Sequence, residues 1–372
     1  MLIDSTLREG AQHYGTYLEL EIKKRILEGL FEVGLEEVEL GWVGQEGLFE
    51  LADWAWNRSG HTSLCLWSPC REQNIRSASQ IGLHSLVIGL PVSDVHMRGR
   101  LGLSRSDLLD VMSRGIDTAR SAGFRSITLG LEDISSADKY FCLQLAELAC
   151  QSGVARLRLS DSLGLMSPVE TARLVKVFRR RLDAELAVHC HDDFGMATAN
   201  AVSALDAGAH FADCSLLGLG ERSGIAATEE LVAYLTLKTG QQAYCLEVLR
   251  ELCGLVAEQA GLVVPRNKAV IGEDIFASES GLHTQALLTT PELFEPFDPE
   301  LVGGKRRIGL GGKSGAASLR LALSRADVSC PEQELPRLLS AVRAAAWSRR
   351  RPLTEGELLE LTQRVLAAVQ EG

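Results

Sequence analysis

The segment Val188-His189-Cys190-His191-Asp192 carries two imidazoles one residue apart. Alternate residues of an extended strand point to the same side, so His189 and His191 would face one way and Cys190 the other. Two imidazoles on one face suit a divalent metal. They equally suit a hydrogen-bonded pair of core histidines, and the H-x-H spacing alone does not choose. Other polar residues sit where β-like runs end: Arg8 and Glu9, Glu39, Glu132 and Asp133, Asp161 and Ser162, Asp192 and Asp193. A carboxylate that reaches the histidines would complete a mixed N/O ligand set open to Mg, Mn, Fe or Zn. An arginine beside such a set is either half of an ion pair or a fixed cation aimed at an oxygen that becomes negative during reaction. It cannot be the base.

These residues can meet only if their elements share one mouth. The β-like runs are Leu2–Ile3, Glu37–Leu40, Ser63–Trp67, Ser85–Leu90, Ser126–Leu129, Arg156–Ser160, Glu185–His191 and Phe211–Leu216. Between them lie stretches with apolar residues at helical spacing, such as Glu19–Val33, Ser104–Ala122, Ala137–Gln151, Val169–Arg181 and Ala197–Ala207. Gly34, Gly123, Gly153 and Gly208 mark helix ends. Eight such units predict an α/β fold, a (β/α)8 TIM barrel over 1–240, rather than an open doubly wound sheet. The first loop, Ser5-Thr6-Leu7-Arg8-Glu9-Gly10, lacks the glycine-rich phosphate turn of the open sheet. Active residues of such barrels collect at the C-terminal strand ends. Strands one and seven are separated in the ring only by strand eight, which makes Glu9 the expected third ligand. Beyond Gly240 the pattern changes to a C-terminal helical appendage over 241–372, with a Pro/Gly-punctuated, lid-like segment before its last helices.

The chain of 372 residues has 38 Lys+Arg against 49 Asp+Glu, a net charge of −11. Such an acidic surface repels phosphate backbones, so no nucleic acid partner is expected. No apolar run approaches the ~20 residues that span a bilayer, so no membrane association is expected. Met1 leads directly into Leu2-Ile3-Asp4 without a basic, apolar leader, and a cytoplasmic location is expected. The nine cysteines are odd in number and none forms a C-x-x-C pair, which argues against a disulfide framework and for small buried apolar residues.

The stretch Asp4-Ser5-Thr6-Leu7-Arg8-Glu9-Gly10, with Gln12, resembles the opening motif of the metal-dependent acyl-CoA-condensing barrels, the isopropylmalate/homocitrate/citramalate synthase family. The run from His189 to Asn200 is similar to that family's second signature, and Gly218-Leu219-Gly220-Glu221-Arg222-Ser223-Gly224 to its loop after the eighth strand. Phe276-Ala277-Ser278-Glu279-Ser280-Gly281-Leu282-His283 resembles the segment that supplies a catalytic histidine. Leu90-Pro91-Val92-Ser93-Asp94 and the tail around Arg343–Leu359 look most like homocitrate synthases of the nitrogen-fixation type.

The resemblance implies a Claisen-type condensation of acetyl-CoA with a 2-oxo acid, 2-oxoglutarate first among them, giving homocitrate and CoA. It implies a divalent metal (Mg, Mn or Zn) on Glu9, His189 and His191, with Arg8 stabilising the alkoxide. His283 is implied as base or proton relay, oriented by Glu132, and Gln12, Glu39 and Ser162 as substrate-binding residues. It also implies a homodimer in which His283 serves the partner's site. Three departures stand out: Ile225 where relatives can carry a ligating Asn, Phe294 in place of a Tyr, and Gly312-Lys313 inside a changed Gly-Lys-His-Ser-Gly motif. Two other readings are a carbon–carbon lyase similar to the hydroxymethylglutaryl-CoA lyases and a catalytically weak binding or regulatory paralogue. The lyases carry a cysteine in the loop after the last strand, and Gly218–Gly224 contains none.

Overall fold

A computed structural model describes residues 1–240, 244–280, 286–287 and 289–370. Its two compact units are Met1–Val263 and Val264–Gly372. In the first, eight parallel strands close into the expected barrel: β1 (Leu2–Asp4), β2 (Glu37–Trp42), β3 (Ser63–Pro69), β4 (Ser85–Pro91), β5 (Ser126–Glu132), β6 (Arg156–Asp161), β7 (Glu185–Cys190) and β8 (Phe211–Cys214). Pairing of Leu2 with Ala212 and Asp4 with Cys214 closes β8 onto β1. The surrounding helices start and stop where their sequences direct. Helix α1 (Leu20–Val33) buries Lys23, Ile26, Leu27, Leu30 and Val33 along one face, and ends at Gly34, whose φ of 85° lets its N–H reach the carbonyls of Leu30 and Phe31. Ser104 with Asp107, and Ser167 with Glu170, form capping boxes that begin the helices Arg105–Ser121 and Pro168–Arg181. The first unit continues past residue 240, through the helix Leu249–Gln259.

The barrel interior carries buried charge beside apolar residues such as Ile3, Ala187 and Phe211. Near its N-terminal end, Arg156 pairs with Glu37 at 2.9 Å and Glu185 at 3.2 Å. Two residues further along β6, Arg158 pairs with Glu39 and Asp213, each at 3.0 Å. Leu157, Leu159, Leu129 and Leu131 alternate with these positions and are buried. Buried charges persist only when paired, so the two arginine layers fix which strands face each other across the barrel.

The loop after β1 is stapled to the loop after β8. Asp4 Oδ1 accepts the Thr6 N–H at 2.8 Å and Oδ2 accepts the Thr228 hydroxyl at 2.6 Å. Thr6 Oγ1 in turn accepts the Leu216 N–H at 2.8 Å. Burial raises the Asp4 carboxyl to about 6, with the Thr228 and Thr6 hydrogen bonds opposing. A carboxyl raised by folding contributes stability at low pH, and that contribution is lost as pH rises through the folded value. The expected result is a fall in unfolding free energy of about 1–1.5 kcal/mol between pH 5 and 7.5 from this group. In urea melts Asp4→Asn should lack that component; an unchanged slope would place the proton elsewhere.

In the second unit, β9 (Ala277–Ser278) pairs in parallel with β10 (Arg307–Ile308). The helices Ala316–Arg325, Leu335–Arg349 and Glu355–Gln370 follow. They gather around Leu310, Leu319, Leu323, Leu335, Leu338, Val342 and Leu358. Arg343 donates to the Ser314 carbonyl from Nε at 2.9 Å and from Nη2 at 2.7 Å, fixing the Gly312-Lys313 loop. All nine cysteines are free. Among the described residues no helix is long and apolar enough to cross a membrane.

Candidate metal centre and active site

At the C-terminal end of the barrel, Glu9, His189 and His191 bring ligand atoms within 4.8 Å of one another, all three side chains buried. His189 ends the inward row of β7, while His191 lies one residue past the strand, bridged to Ile225. Their Nε2 atoms are 3.4 Å apart. Glu9 Oε2 is 3.8 Å from His189 Nε2 and Oε1 is 3.9 Å from His191 Nε2. Two ligand atoms each ~2.1 Å from one ion can be at most ~4.2 Å apart; the nearest separations, taken to both Glu9 oxygens, fall under that ceiling, and ligation through one oxygen needs only a small side-chain adjustment from the 4.8 Å spread.

The donor chemistry also fits. His189 Nδ1 is 2.9 Å from Asp213 Oδ2, which turns Nε2 inward, as a carboxylate behind a ligating histidine does. Burial and the neighbouring His189 lower His191, so its imidazole is neutral near pH 7 with one ring nitrogen free to ligate. Its Nδ1 has no hydrogen-bond partner among the described residues. Burial by itself would raise Glu9, but Arg8, His189 and His191 beside it hold it below the usual carboxylate range. The backbone places Glu9 firmly. The Glu221 N–H donates to Oε1 at 3.1 Å, and the loop carrying Glu221 closes where the Ile225 N–H meets the Gly218 carbonyl at 2.9 Å. Gly224 permits that closure, since a Cβ there would lie 1.8 Å from the Gly218 oxygen.

Arg8 is buried beside this cluster. Its Nη1 contacts Glu9 Oε2, its Nε donates to Glu39 Oε2 at 2.5 Å, and its guanidinium stands 5.8 Å from the Trp67 ring centroid. The cavity above measures about 380 Å³, and its wall includes Arg8, Glu9, Gln12, Glu132, Ser162, His189 and His191. Glu39 is placed differently from expectation. It is fully buried behind this wall, and its oxygens are taken by Ser5 (2.6 Å), Arg8 and Arg158 (3.0 Å). It is the counter-ion of two arginines rather than a group open to substrate. Gln12 Oε1 lies 3.5 Å from Arg8 Nη1. Ser162 accepts the Asp133 N–H on Oγ at 2.9 Å. Burial raises the Glu132 carboxyl despite the opposing charges of Arg100 and Arg8. A Cβ at Gly89 would come within 2.2 Å of Glu132 Oε1 and 2.7 Å of Trp67 Cζ2, so that glycine leaves the room both occupy. His283 lies outside the described residues, and Phe294, 46% exposed, belongs to the second unit.

Sequence reasoning missed Arg158, Asp213, His96 and Arg100. The last two reach the cavity from the turn after β4. There His96 Nδ1 is 3.1 Å from Asp133 Oδ2, and a π-helical turn, Met97–Leu101, carries Arg100. The paired His-Arg-rich spelling His96-Met97-Arg98-Gly99-Arg100 was the available signal.

Comparison with known proteins adds two family matches: HMGL-like over residues 1–256 and homocitrate synthase post-HMGL domain-like over residues 270–350. The chain is 34% identical to homocitrate synthase 1 of Nostoc sp., over 98% of this chain and 97% of the relative. It is 33% identical to 2-isopropylmalate synthase 2 of Caldanaerobacter subterraneus, over 98% of this chain and 95% of the relative. Among solved structures, the HMG-CoA lyase of Bacillus subtilis superposes with a TM-score of 0.64 at 22% identity, covering 71% of this chain and 95% of that one.

Proposed function

The chain belongs to the HMGL-like family, among the acyltransferase-type condensing enzymes that include the homocitrate and isopropylmalate synthases, and from that premise we propose that it condenses acetyl-CoA with 2-oxoglutarate to give homocitrate and CoA. The observation that carries this reading is one cavity walled jointly by the Glu9–His189–His191 cluster, Arg8 and Glu132. A divalent ion on Glu9, His189 and His191 would supply Lewis acidity to the 2-oxo carbonyl. Arg8 would offer a fixed cation to the oxygen that becomes an alkoxide on attack. Ser162 and Gln12 would orient the 2-oxo acid. The proton removed from the acetyl methyl group would go to His283, with Glu132 orienting and charge-tuning that histidine. Water then cleaves the thioester and releases CoA.

The test is free thiol release from acetyl-CoA with a panel of 2-oxo acids. Release that requires both substrates is expected. Cleavage of hydroxymethylglutaryl-CoA to acetyl-CoA would instead establish the lyase, and neither reaction would leave a binding paralogue. The proposal includes a homodimer whose subunits exchange His283. Mixing an inactive His283→Ala chain with an inactive Arg8→Ala chain should then restore activity, up to about a quarter of wild type, since random pairing makes half the dimers heterodimers with one intact site of two. Heterodimers that form without recovery would contradict site sharing.

A further inference from the structure

The turn after β4 brings a histidine to the cavity that the steps above leave without a role. His96 lines the cavity wall, and its side chain is 32% exposed. Its Nδ1 is 3.1 Å from Asp133 Oδ2 and 3.2 Å from Ser93 Oγ. Ser93 Oγ also accepts the His96 N–H at 3.3 Å, which pins the turn. Asp133 is buried, and its backbone is left-handed at φ 56° and ψ 43°. A residue other than glycine held in that region is a mark of a constrained site. The Ser136 hydroxyl donates to Asp133 Oδ1 at 2.9 Å, so the two carboxylate oxygens are divided between Ser136 and His96. An ionised carboxylate only accepts, so the neutral imidazole facing it carries its proton on Nδ1 and its lone pair on Nε2. Nε2 belongs to the ring edge opposite Nδ1. With Nδ1 turned to buried Asp133, that edge is the exposed one, and no described residue hydrogen-bonds Nε2.

Condensation followed by thioester cleavage needs two proton acceptors. The methyl proton has His283. The water that cleaves the thioester has none among the groups already assigned, because Glu9, His189 and His191 would hold the ion and Glu132 would serve His283. The wall's other carboxylate, Glu221, is exposed, and a carboxylate accepts a proton near neutrality less readily than an imidazole backed by an aspartate. We propose that His96 is a further catalytic residue of this cavity: the general base, held in its tautomer by Asp133, for the water that cleaves the condensed CoA thioester. The proposal rests on the condensing reading above and adds its second step. The water oxygen bonds to the thioester carbonyl carbon as one of its protons passes to Nε2. The C–S bond then breaks with its electron pair on sulfur, and Nε2 returns the proton to that thiolate. The new carboxylic acid loses its remaining proton to solvent. Asp133 acts through His96 and is a positioning residue.

The experiment runs a single turnover of acetyl-CoA with 2-oxoglutarate, quenches it in acid, and separates and weighs the CoA species. His96→Gln should still join the two carbon chains but release thiol at least about 10²-fold more slowly than wild type, so that the condensed CoA thioester outweighs free CoA. Asp133→Asn keeps the imidazole but not its fixed tautomer, and should show the same thioester to a smaller extent. A folded His96→Gln that releases thiol within about threefold of wild type overturns the proposal. So does one in which condensation and thiol release fall together with no thioester, the result expected if His96 only holds the turn. If His96→Gln does not fold, Asp133→Asn decides, and thiol release that keeps pace with condensation there overturns the proposal. All of these leave condensation standing. Wild type that leaves 2-oxo acids unconsumed overturns the condensing reading and this inference together.

Discussion

His191→Ala should emerge from purification with about no divalent ion, where wild type carries about one per chain, and with turnover reduced by at least about 10³-fold. The expectation follows from three separations, 3.4, 3.8 and 3.9 Å, among one carboxylate and two imidazoles that face one another in a buried pocket. Without an ion, two imidazole nitrogens and a carboxylate meet there with few protons to share. With one, all three become ligands, and Asp213 orients one of the imidazoles from behind. Removing one of three ligands leaves an incomplete set, so affinity falls by more than the 10–100-fold typical of losing an outer partner. A thermal readout needs no activity: added Mg, Mn or Zn should raise the melting temperature of chelator-treated wild type by mass action and leave His191→Ala unmoved. If chelator-treated wild type keeps full turnover, the histidines are a packing pair.

Arg8→Lys is expected to stay folded and to lose about 10²–10³-fold in kcat, with a smaller change in KM. Lysine keeps the positive charge between Glu9 and Glu39 but not the planar fork that contacts both. Its single ammonium cannot bind Glu39 at the Nε position and still stand beside Glu9 and Gln12. Arg8→Ala is a different experiment. It strips Glu9 and Glu39 of a shared counter-ion inside the barrel, and breaking a buried pair in this way costs about 3–5 kcal/mol. The lysine variant therefore separates catalysis from folding. An Arg8→Lys protein within about fivefold of wild type would make Arg8 a structural counter-ion alone, since a lost oxyanion donor costs far more.

The barrel was legible because its signals are local. Short β-like runs repeat eight times, apolar faces at helical spacing lie between them and four glycines mark helix ends, and each can be read without knowing its neighbours. The metal cluster was legible in part for the same reason. His189 and His191 sit close in sequence, and Glu9 follows the one strand that closure brings near them. The ionic layers were not legible. Arg156 and Arg158 alternate with Leu157 and Leu159 along β6, a pattern that reads as a strand with one solvated face. Closure of the sheet turns that polar face inward, where Arg158 finds Glu39 from β2 and Asp213 from β8. Glu39 was misplaced by the same effect. Its position near a strand end suggested the mouth, whereas two buried arginines and Ser5 claim its oxygens. His96 and Arg100 depend on a π-helical turn, which has no simple periodic signature.

The proposed reaction forms a carbon–carbon bond from an acetyl methyl group under the control of a divalent metal. The most direct measurement supplies the metal-loaded protein with acetyl-CoA deuterated on the methyl group and unlabelled 2-oxoglutarate, and weighs the products. One deuteron must leave for the methyl carbon to attack, so the account predicts homocitrate carrying two deuterons, formed one-for-one with free CoA and suppressed by chelator. Acetate that retains three deuterons, with 2-oxoglutarate unconsumed, would show thioester hydrolysis without condensation and would contradict the account.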